Sequence, residues 1–213
     1  MCGRYMITSP YEAMAQLFEA SPGELGPDAP RPNVSPTQSV PVVVSHEGDR
    51  LIVPMRWGFL PHWYKAPNDG PLLINARAET IAEKPAFRAA AQARRCLIPA
   101  DGFYEWAGPK GAKVAHVIRP RAGGPIGLAG VWQEWRPKEG AAMATCAIVT
   151  CAANGVLAPI HDRMPVIIAP EDFALWLGEA GTGAARLMRP APEEMLEAAP
   201  ADAETRALLA RRG

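Results

Sequence analysis

The sequence of 213 residues has few of the features that mark membrane, secreted or metal-dependent proteins. It contains no run of 18 apolar residues and no signal-peptide pattern, so we expect a cytoplasmic protein without a membrane span. The four cysteines form no CxxC pair, and Cys96, Cys146 and Cys151 are predicted to be buried free thiols. The four histidines show no metal-ligand spacing, so no metal and no other cofactor is predicted.

The chain also lacks net charge and is poor in lysine. Its 22 basic and 22 acidic residues cancel, so no overall field attracts a nucleic acid. Arginine outnumbers lysine 17 to 5, which suits bidentate phosphate binding but also fits a general bias towards Arg and Ala. The length and the 48% of hydrophobic residues fit one domain over residues 1–213.

Short β-rich runs separated by Pro and Gly indicate the fold class. The runs 39–45 and 50–57 are joined by a polar turn and predict a hairpin. A capping-box pattern beginning at Ser9 predicts a helix over 10–20, and the apolar residues 72–74 predict a buried strand that ends at Asn75. Together these runs predict an α+β domain with a mostly antiparallel, barrel-like sheet core and short peripheral helices.

Cys2 stands directly after the initiator Met, whose removal would leave an α-amine and a thiol on one residue. A 1,2-aminothiol condenses with an aldehyde to an imine, which the thiol then closes to a thiazolidine ring. The same residue is suited to act as an N-terminal nucleophile whose amine is its own base. On residue type alone, a cysteine without function at this position is the alternative.

Other candidates are individually ambiguous. Asn75 at a strand end is also a common turn or cap residue, Glu105 fits an edge salt bridge, and His161 fits a surface pair with its neighbouring aspartate. The segment 57–64 carries four aromatic rings, which serve either to cover the core or to stack on bases.

Six motifs in a fixed order decide between these alternatives. They are Met-Cys-Gly-Arg-Tyr at the start, Asn-Val-Ser-Pro-Thr at 33–37, Trp-Gly at 57–58, Ile-Asn-Ala-Arg-Ala-Glu-Thr at 74–80, Gly-Phe-Tyr-Glu-Trp at 102–106 and His-Asp-Arg-Met-Pro at 161–165. The chain closely resembles the SRAP family, the SOS-response-associated peptidases or abasic-site processing proteins. The resemblance covers about four-fifths of the chain, from Cys2 to Ala169, and the part over 170–213 is predicted to be helical and divergent.

The resemblance implies a role in the DNA damage response. Family members shield abasic sites in single-stranded DNA through a covalent thiazolidine crosslink to the N-terminal cysteine, here Cys2. The resemblance implies that Asn75, Glu105 and His161 are the remaining catalytic residues. Glu105 is expected to open the sugar ring, and His161 to assist imine formation and its reversal. Residues implied to contact the DNA are Arg4, Asn33, Pro36, Trp63, Tyr64, Arg77, Trp106 and Arg163.

The family's peptidase label is taken to mean removal of Met1 from the chain itself, and a lyase activity is a further expectation for the imine. The expected partner is single-stranded DNA with abasic sites, bound by a monomer. Two rival functions remain: an N-terminal-nucleophile amidohydrolase that uses Cys2, and a non-catalytic single-strand binding module.

The sequence departs from the family pattern in two places. No strand of the kind found near the family's C-terminus is recognisable around 200–205, so a missing or helical last element is expected. Pro85 stands where some relatives carry a basic residue that faces DNA, and Lys84 or Arg88 is the candidate to replace it.

Overall fold

Strands dominate the computed structural model, which describes residues 2–23, 25 and 29–211. No helix within this described part is long and apolar enough to cross a membrane. The strands are β1 Tyr5–Ile7, β2 Ser21–Pro22, β3 Arg31–Val34, β4 Ser39–His46, β5 Asp49–Trp57, β6 Asn75–Arg77, β7 Arg95–Ala100, β8 Gly102–Ala107, β9 Val114–Pro120, β10 Ile126–Trp135, β11 Met143–Ala152, β12 Arg163–Pro165, β13 Ile167–Ile168 and β14 Leu196–Pro200. The α-helices are α1 Tyr11–Phe18, α2 Arg88–Ala93, α3 Phe173–Leu177 and α4 Ala203–Ala210, and 3₁₀ turns cover Pro170–Asp172, Ala184–Leu187 and Glu193–Met195.

The centre of the molecule is a closed ring made by β4, β5, β7, β10 and β11. The strands pair antiparallel in the order β5, β4, β7, β10, β11, and the ring closes where β11 pairs parallel with β5, at Cys146 and Trp57. Close packing inside the ring requires Gly130 on β10, since a Cβ atom there would lie 2.8 Å from the Cys96 sulfur. The prediction of a mostly antiparallel, barrel-like core is therefore confirmed.

A second sheet, in the order β14, β9, β8, β1, β3, carries the N-terminal segment. The β7–β8 junction fixes that segment: the Asp101 carboxylate accepts the main-chain N–H groups of Thr8 at 2.6 Å and Ser9 at 2.9 Å. Only glycine fits the next position, because Gly102 has a φ of +153° and a Cβ there would lie 2.5 Å from the Ile118 carbonyl oxygen. The junction thus aligns β1 beside β8.

Two local predictions are wrong in detail. The capping box at Ser9 does not form, because the Ser9 hydroxyl bonds the Asp101 carboxylate, and the helix begins only at Tyr11. The buried strand predicted at 72–74 is displaced along the chain, since Leu72 is exposed and the strand comprises Asn75–Arg77. The predicted hairpin, in contrast, is present as β4 and β5.

The prediction of a helical C-terminal part over 170–213 is wrong in part, because this segment contains a strand as well as helices. Strand β14 pairs antiparallel with β9, with Glu197 beside Arg119, and α4 follows it. The residues of β14, Leu-Glu-Ala-Ala-Pro, have low intrinsic strand preference, but the open edge of β9 supplies hydrogen-bond partners that override it. The Asp202 side chain caps α4 by accepting the Thr205 N–H at 2.7 Å.

Candidate active site

Cys2 lies just before β1, and strand pairing sets its position. The Tyr104 N–H of β8 donates to the Arg4 carbonyl at 3.0 Å, so the first residues run alongside the strand that carries Glu105. The Cys2 side chain is fully buried, and its sulfur lies 4.0 Å from the Arg4 carbonyl oxygen. Burial first, and then the charge of Glu105, raise the pKa of the Cys2 thiol well above its ordinary value. The thiol is therefore protonated at neutral pH.

Asn75 reaches Cys2 from the other sheet. Strand β6 pairs parallel with β11, at Asn75 and Ile148, and this pairing carries Asn75 to the site. Its side-chain N–H donates to the Cys2 carbonyl oxygen at 3.0 Å. Its amide oxygen is buried and has no hydrogen-bond partner among the residues that the structure describes. The amide thus holds the Cys2 main chain and offers an acceptor beside it.

Glu105 and His161 come from two further elements. Glu105 lies on β8 with 3% of its surface exposed, and its carboxylate is close enough to influence the Cys2 thiol. His161 follows a turn over 155–160, and its Nδ1 lies 2.9 Å from the Asp162 carboxylate and 3.0 Å from the Arg163 main-chain nitrogen. Both of these contacts use Nδ1 of the imidazole ring.

An open cleft of about 400 Å³ is lined by Gly3, Arg4, Glu105, Trp106, Lys113 and His161. Cys2, which is fully buried, and Asn75 are not among its lining residues. Four of the lining residues were predicted from the sequence, and they come from three separate segments of the chain. A larger cavity of about 480 Å³ lies beside Trp176 and contains none of the predicted site residues. Glu105 and His161 therefore meet at the smaller, more polar cleft, and Gly3 places the main chain next to Cys2 at its wall.

The three arginines predicted to hold phosphates differ in how they are engaged. Arg4 donates to Asn33 at 3.1 Å and to Ser35 at 2.6 Å. Arg163 makes a bidentate ion pair with Glu79, at 2.7 and 2.9 Å, and also donates to the Thr150 carbonyl. Arg77 is exposed, and its side chain makes no hydrogen bond or ion pair within the described residues. Of the three, only Arg77 presents its whole guanidinium group to solvent.

The Arg163 pair also explains an electrostatic shift. The hydrogen bond from Arg163 lowers the pKa of Glu79, with charge attraction from Arg163 and Arg77 adding to it. The same contact raises the pKa of Arg163. Arg163 therefore ties β12 to the turn after β6, and its role in this state is structural.

Asn33 and Pro36 lie in the segment that supports Arg4. The Asn33 amide N–H donates to the Leu208 carbonyl of α4 at 3.1 Å, while its oxygen accepts from Arg4. Pro36 is half-buried in the turn after β3, next to the serine that binds Arg4. Asn33 thus links the C-terminal helix to the N-terminal segment, a contact that its sequence motif did not indicate.

The predicted stacking residues fall into two groups. Trp106 is half-buried and lines the cleft, and Trp63 is 47% exposed in the loop after β5. Tyr64 is only 9% exposed, packs with Leu60 and Trp135, and donates its hydroxyl to the Pro71 carbonyl at 3.2 Å. The ring of Tyr64 therefore belongs to a small apolar cluster, and its stacking on bases stays a prediction.

Metal ligands do not cluster in the described ranges 2–23, 25 and 29–211, where no group of three His, Cys, Asp or Glu side chains is placed to hold an ion. Two site residues were missed from the sequence. Ser35, which binds Arg4, stands inside the quoted motif at 33–37 and was within reach of prediction. Lys113 stands outside every motif, and no sequence signal pointed to it.

Comparison with known proteins supports the resemblance found in the motifs. The family model described as SOS response associated peptidase (SRAP) matches residues 1–206. The chain belongs to the SRAP family. The match continues past Ala169, so it also covers β14 and the first part of α4.

Relatives of this SRAP chain are found in bacteria and animals. The abasic site processing protein YoqW of Bacillus subtilis is 36% identical over 188 residues, which cover 85% of this chain and 82% of YoqW. The abasic site processing protein HMCES of Rattus norvegicus is 31% identical over 233 residues, which cover 85% of this chain and 66% of HMCES.

Solved structures share the fold. A protein of Bacteroides thetaiotaomicron superposes with a TM-score of 0.85 at 23% identity, covering 95% of this chain and 93% of the other. A protein of Bordetella bronchiseptica superposes with a TM-score of 0.82 at 26% identity, covering 94% of this chain and 100% of the other.

Proposed function

We propose that this SRAP protein crosslinks covalently to abasic sites in single-stranded DNA through Cys2. One observation carries the proposal: Asn75 holds the Cys2 carbonyl oxygen, and the next residue, Gly3, lines a cleft together with Glu105 and His161. The relatives named abasic site processing proteins support the substrate class. The product is a thiazolidine between Cys2 and C1′ of the ring-opened deoxyribose, which shields the lesion in the DNA damage response.

The reaction begins with the sugar, which is mostly a closed hemiacetal. Opening the ring moves a proton from the C1′ hydroxyl and delivers one to the ring oxygen, and a carboxyl group can carry out both transfers. Glu105 is assigned this step because it lines the cleft and lies close to the Cys2 side chain. The step releases an aldehyde beside the nucleophile without any change in oxidation state.

The α-amine of Cys2 attacks first, which is the order in which a 1,2-aminothiol condenses with an aldehyde. Addition to C1′ gives a carbinolamine, and His161 donates a proton to its hydroxyl group, which leaves as water to form the imine. The Cys2 sulfur then adds to the imine carbon, its proton passes to the nitrogen, and the five-membered ring closes. Asn75 holds the Cys2 main chain throughout, and its unpartnered amide oxygen is placed to accept a hydrogen bond from the amine.

Single-stranded DNA fits the cleft because the abasic sugar has to leave a base stack to reach Cys2. Trp106 lines the cleft and presents a ring that can take the place of the missing base. Arg77 follows Asn75 on the same face of β6, two residues along the strand, and supplies a free guanidinium for a backbone phosphate.

The α-amine becomes available only when Met1 is removed. Met1 lies outside the described residues, and we infer that its removal is a hydrolysis of the Met1–Cys2 amide assisted by the same site. Glu105 is suited to activate the water, and the released methionine takes the new carboxyl group. This self-processing accounts for a peptidase activity without requiring proteolysis of other chains.

The test compares the mature chain, beginning at Cys2, with a chain that keeps one residue before Cys2. Each is incubated with single-stranded DNA that contains one abasic site and is analysed on a denaturing gel and by intact mass spectrometry. The mature chain should give an adduct whose mass equals protein plus DNA less one water. The extended chain should bind the DNA without forming the adduct.

Two results would overturn the proposal. Adduct formation at full rate by the extended chain would show that the α-amine is not used. Absence of any adduct from the mature chain would exclude the crosslink. Turnover of an amide substrate would then favour an N-terminal-nucleophile amidohydrolase. Unchanged DNA binding by Cys2→Ala would instead favour a non-catalytic single-strand binding module.

A further inference from the structure

The cleft contains a cation that the motifs do not include. Lys113 lines the cleft together with Glu105 and His161, and it is exposed. Within the described residues, Lys113 makes no hydrogen bond and no ion pair. Arg4, the other cation of the cleft, already donates to the Asn33 and Ser35 side chains. Lys113 is therefore the cleft cation that has all its donors available for a ligand.

The β8–β9 hairpin sets the direction of Lys113. Ala107 pairs with Val114 and Trp106 pairs with Ala115, so Lys113 immediately precedes the paired part of β9. Lys113 lies two residues before Ala115, the partner of Trp106, and both Lys113 and Trp106 line the cleft. The lysine and the tryptophan thus present a cation and a ring on the same side of the hairpin.

A cation at this position would offset the negative charge of Glu105 in the cleft. Glu105 is almost fully buried at the cleft, and its negative charge is felt by the Cys2 thiol. A DNA strand that brings its sugar to Cys2 also brings a phosphate on each side of that sugar, and the carboxylate repels both. A lysine ammonium is a compact point charge on a flexible stem, well suited to a phosphate.

We propose that Lys113 binds a backbone phosphate next to the abasic sugar and so positions that sugar over Cys2. The inference rests on the proposed function. Lys113 is a positioning residue: it acts on the phosphate and takes no part in the proton transfers of Glu105 and His161. The ligand is a phosphodiester of single-stranded DNA, and Arg77 at the end of β6 is available for another phosphate.

The experiment uses Lys113→Gln and, as a matched control, Lys110→Gln. Lys110 lies on the same hairpin and is equally exposed, but it does not line the cleft. Binding is measured by fluorescence anisotropy against single-stranded DNA with a reduced abasic analogue, which has no aldehyde and cannot crosslink. The affinity is recorded between 50 and 300 mM salt.

Loss of one phosphate contact should lower the slope of log affinity against log salt by about 0.7 for a single strand. We expect this change, and a several-fold weaker binding at low salt, for Lys113→Gln but not for Lys110→Gln. With a reactive abasic strand, Lys113→Gln should need more DNA for half-maximal crosslinking while the rate at saturating DNA is kept. Lys113→Arg should restore both properties.

Several outcomes would overturn the assignment. An unchanged salt slope in Lys113→Gln, or an equal change of slope in Lys110→Gln, would show that Lys113 makes no specific phosphate contact. Mapping of the adduct to the Lys113 amine by mass spectrometry would give this lysine a reactive role instead. The anisotropy measurement is independent of crosslinking, so a mature chain that forms no adduct would refute the proposed function alone.

Discussion

Replacing Asn75 with alanine tests how the site holds its nucleophile. The variant removes the donor that lies 3.0 Å from the Cys2 carbonyl oxygen and leaves that oxygen without its partner. Leaving a buried polar group unsatisfied costs about 1–3 kcal/mol. If this free energy is added to the activation barrier of crosslinking, the crosslinking rate drops about 5- to 150-fold, because about 1.4 kcal/mol corresponds to a factor of ten. The assay is single-turnover crosslinking with excess abasic single-stranded DNA, quenched at intervals and resolved on a denaturing gel.

Gln133→Ala is the control for this prediction. Gln133 is also a buried amide that donates to a main-chain carbonyl, that of Leu60 at 2.6 Å, but it lies outside the cleft. Both variants should lower the melting temperature, and only Asn75→Ala should slow crosslinking. Wild-type crosslinking by Asn75→Ala, or an equal slowing in Gln133→Ala, would refute the reasoning.

Three further predictions concern the catalytic side chains and the pH dependence of stability. Cys2→Ser keeps the amine but closes the ring less readily, so borohydride should trap an imine. Strand cleavage by β-elimination should then appear on a sequencing gel, and a stable adduct that forms without borohydride would contradict the prediction. Glu105→Gln and His161→Ala should each slow single-turnover crosslinking about 10²-fold through lost proton transfer, while anisotropy shows DNA binding kept. The Arg163 hydrogen bond lowers the pKa of Glu79, so its contribution to stability is present above the ordinary pKa of 4.5 and is lost as pH falls through the folded value. The difference in melting temperature between wild type and Glu79→Gln should therefore be seen at pH 7 and shrink in acid, and a difference that grew below pH 4 would contradict it.

The candidate site was predictable where a residue's function is carried by its motif. Glu105 and His161 are separated by 55 intervening residues, yet their motifs assigned them to one site, and they line the same cleft. The antiparallel core was predictable for a similar reason, because β-branched runs such as β4 and β5 are joined by a tight polar turn. In both cases the information is local in the sequence.

Features that depend on distant partners were not predictable. The family resemblance implies that Arg163 contacts DNA, but it does not indicate the ion pair with Glu79, which depends on the pairing of β12 with β11. Tyr64 stands in an aromatic run, but its burial depends on Trp135 from β10. Strand β14 has no strand-like composition and exists because β9 offers an open edge. Each of these outcomes is decided by tertiary contacts that override the local signal.

Asn33 has a practical consequence for handling the protein. Its side chain joins the Leu208 carbonyl near one end of the chain to Arg4 near the other, so both ends meet beside the cleft. A label attached near Arg4 or Leu208 would therefore lie close to the site that it is meant to report on. The turn over 121–124 is a better place for a label because it is exposed, provided that Gly123 and Gly124, which have φ of +70° and +75°, are kept as glycine. Strand β9 separates that turn from the cleft by about 20 Å, at roughly 3.3 Å per residue.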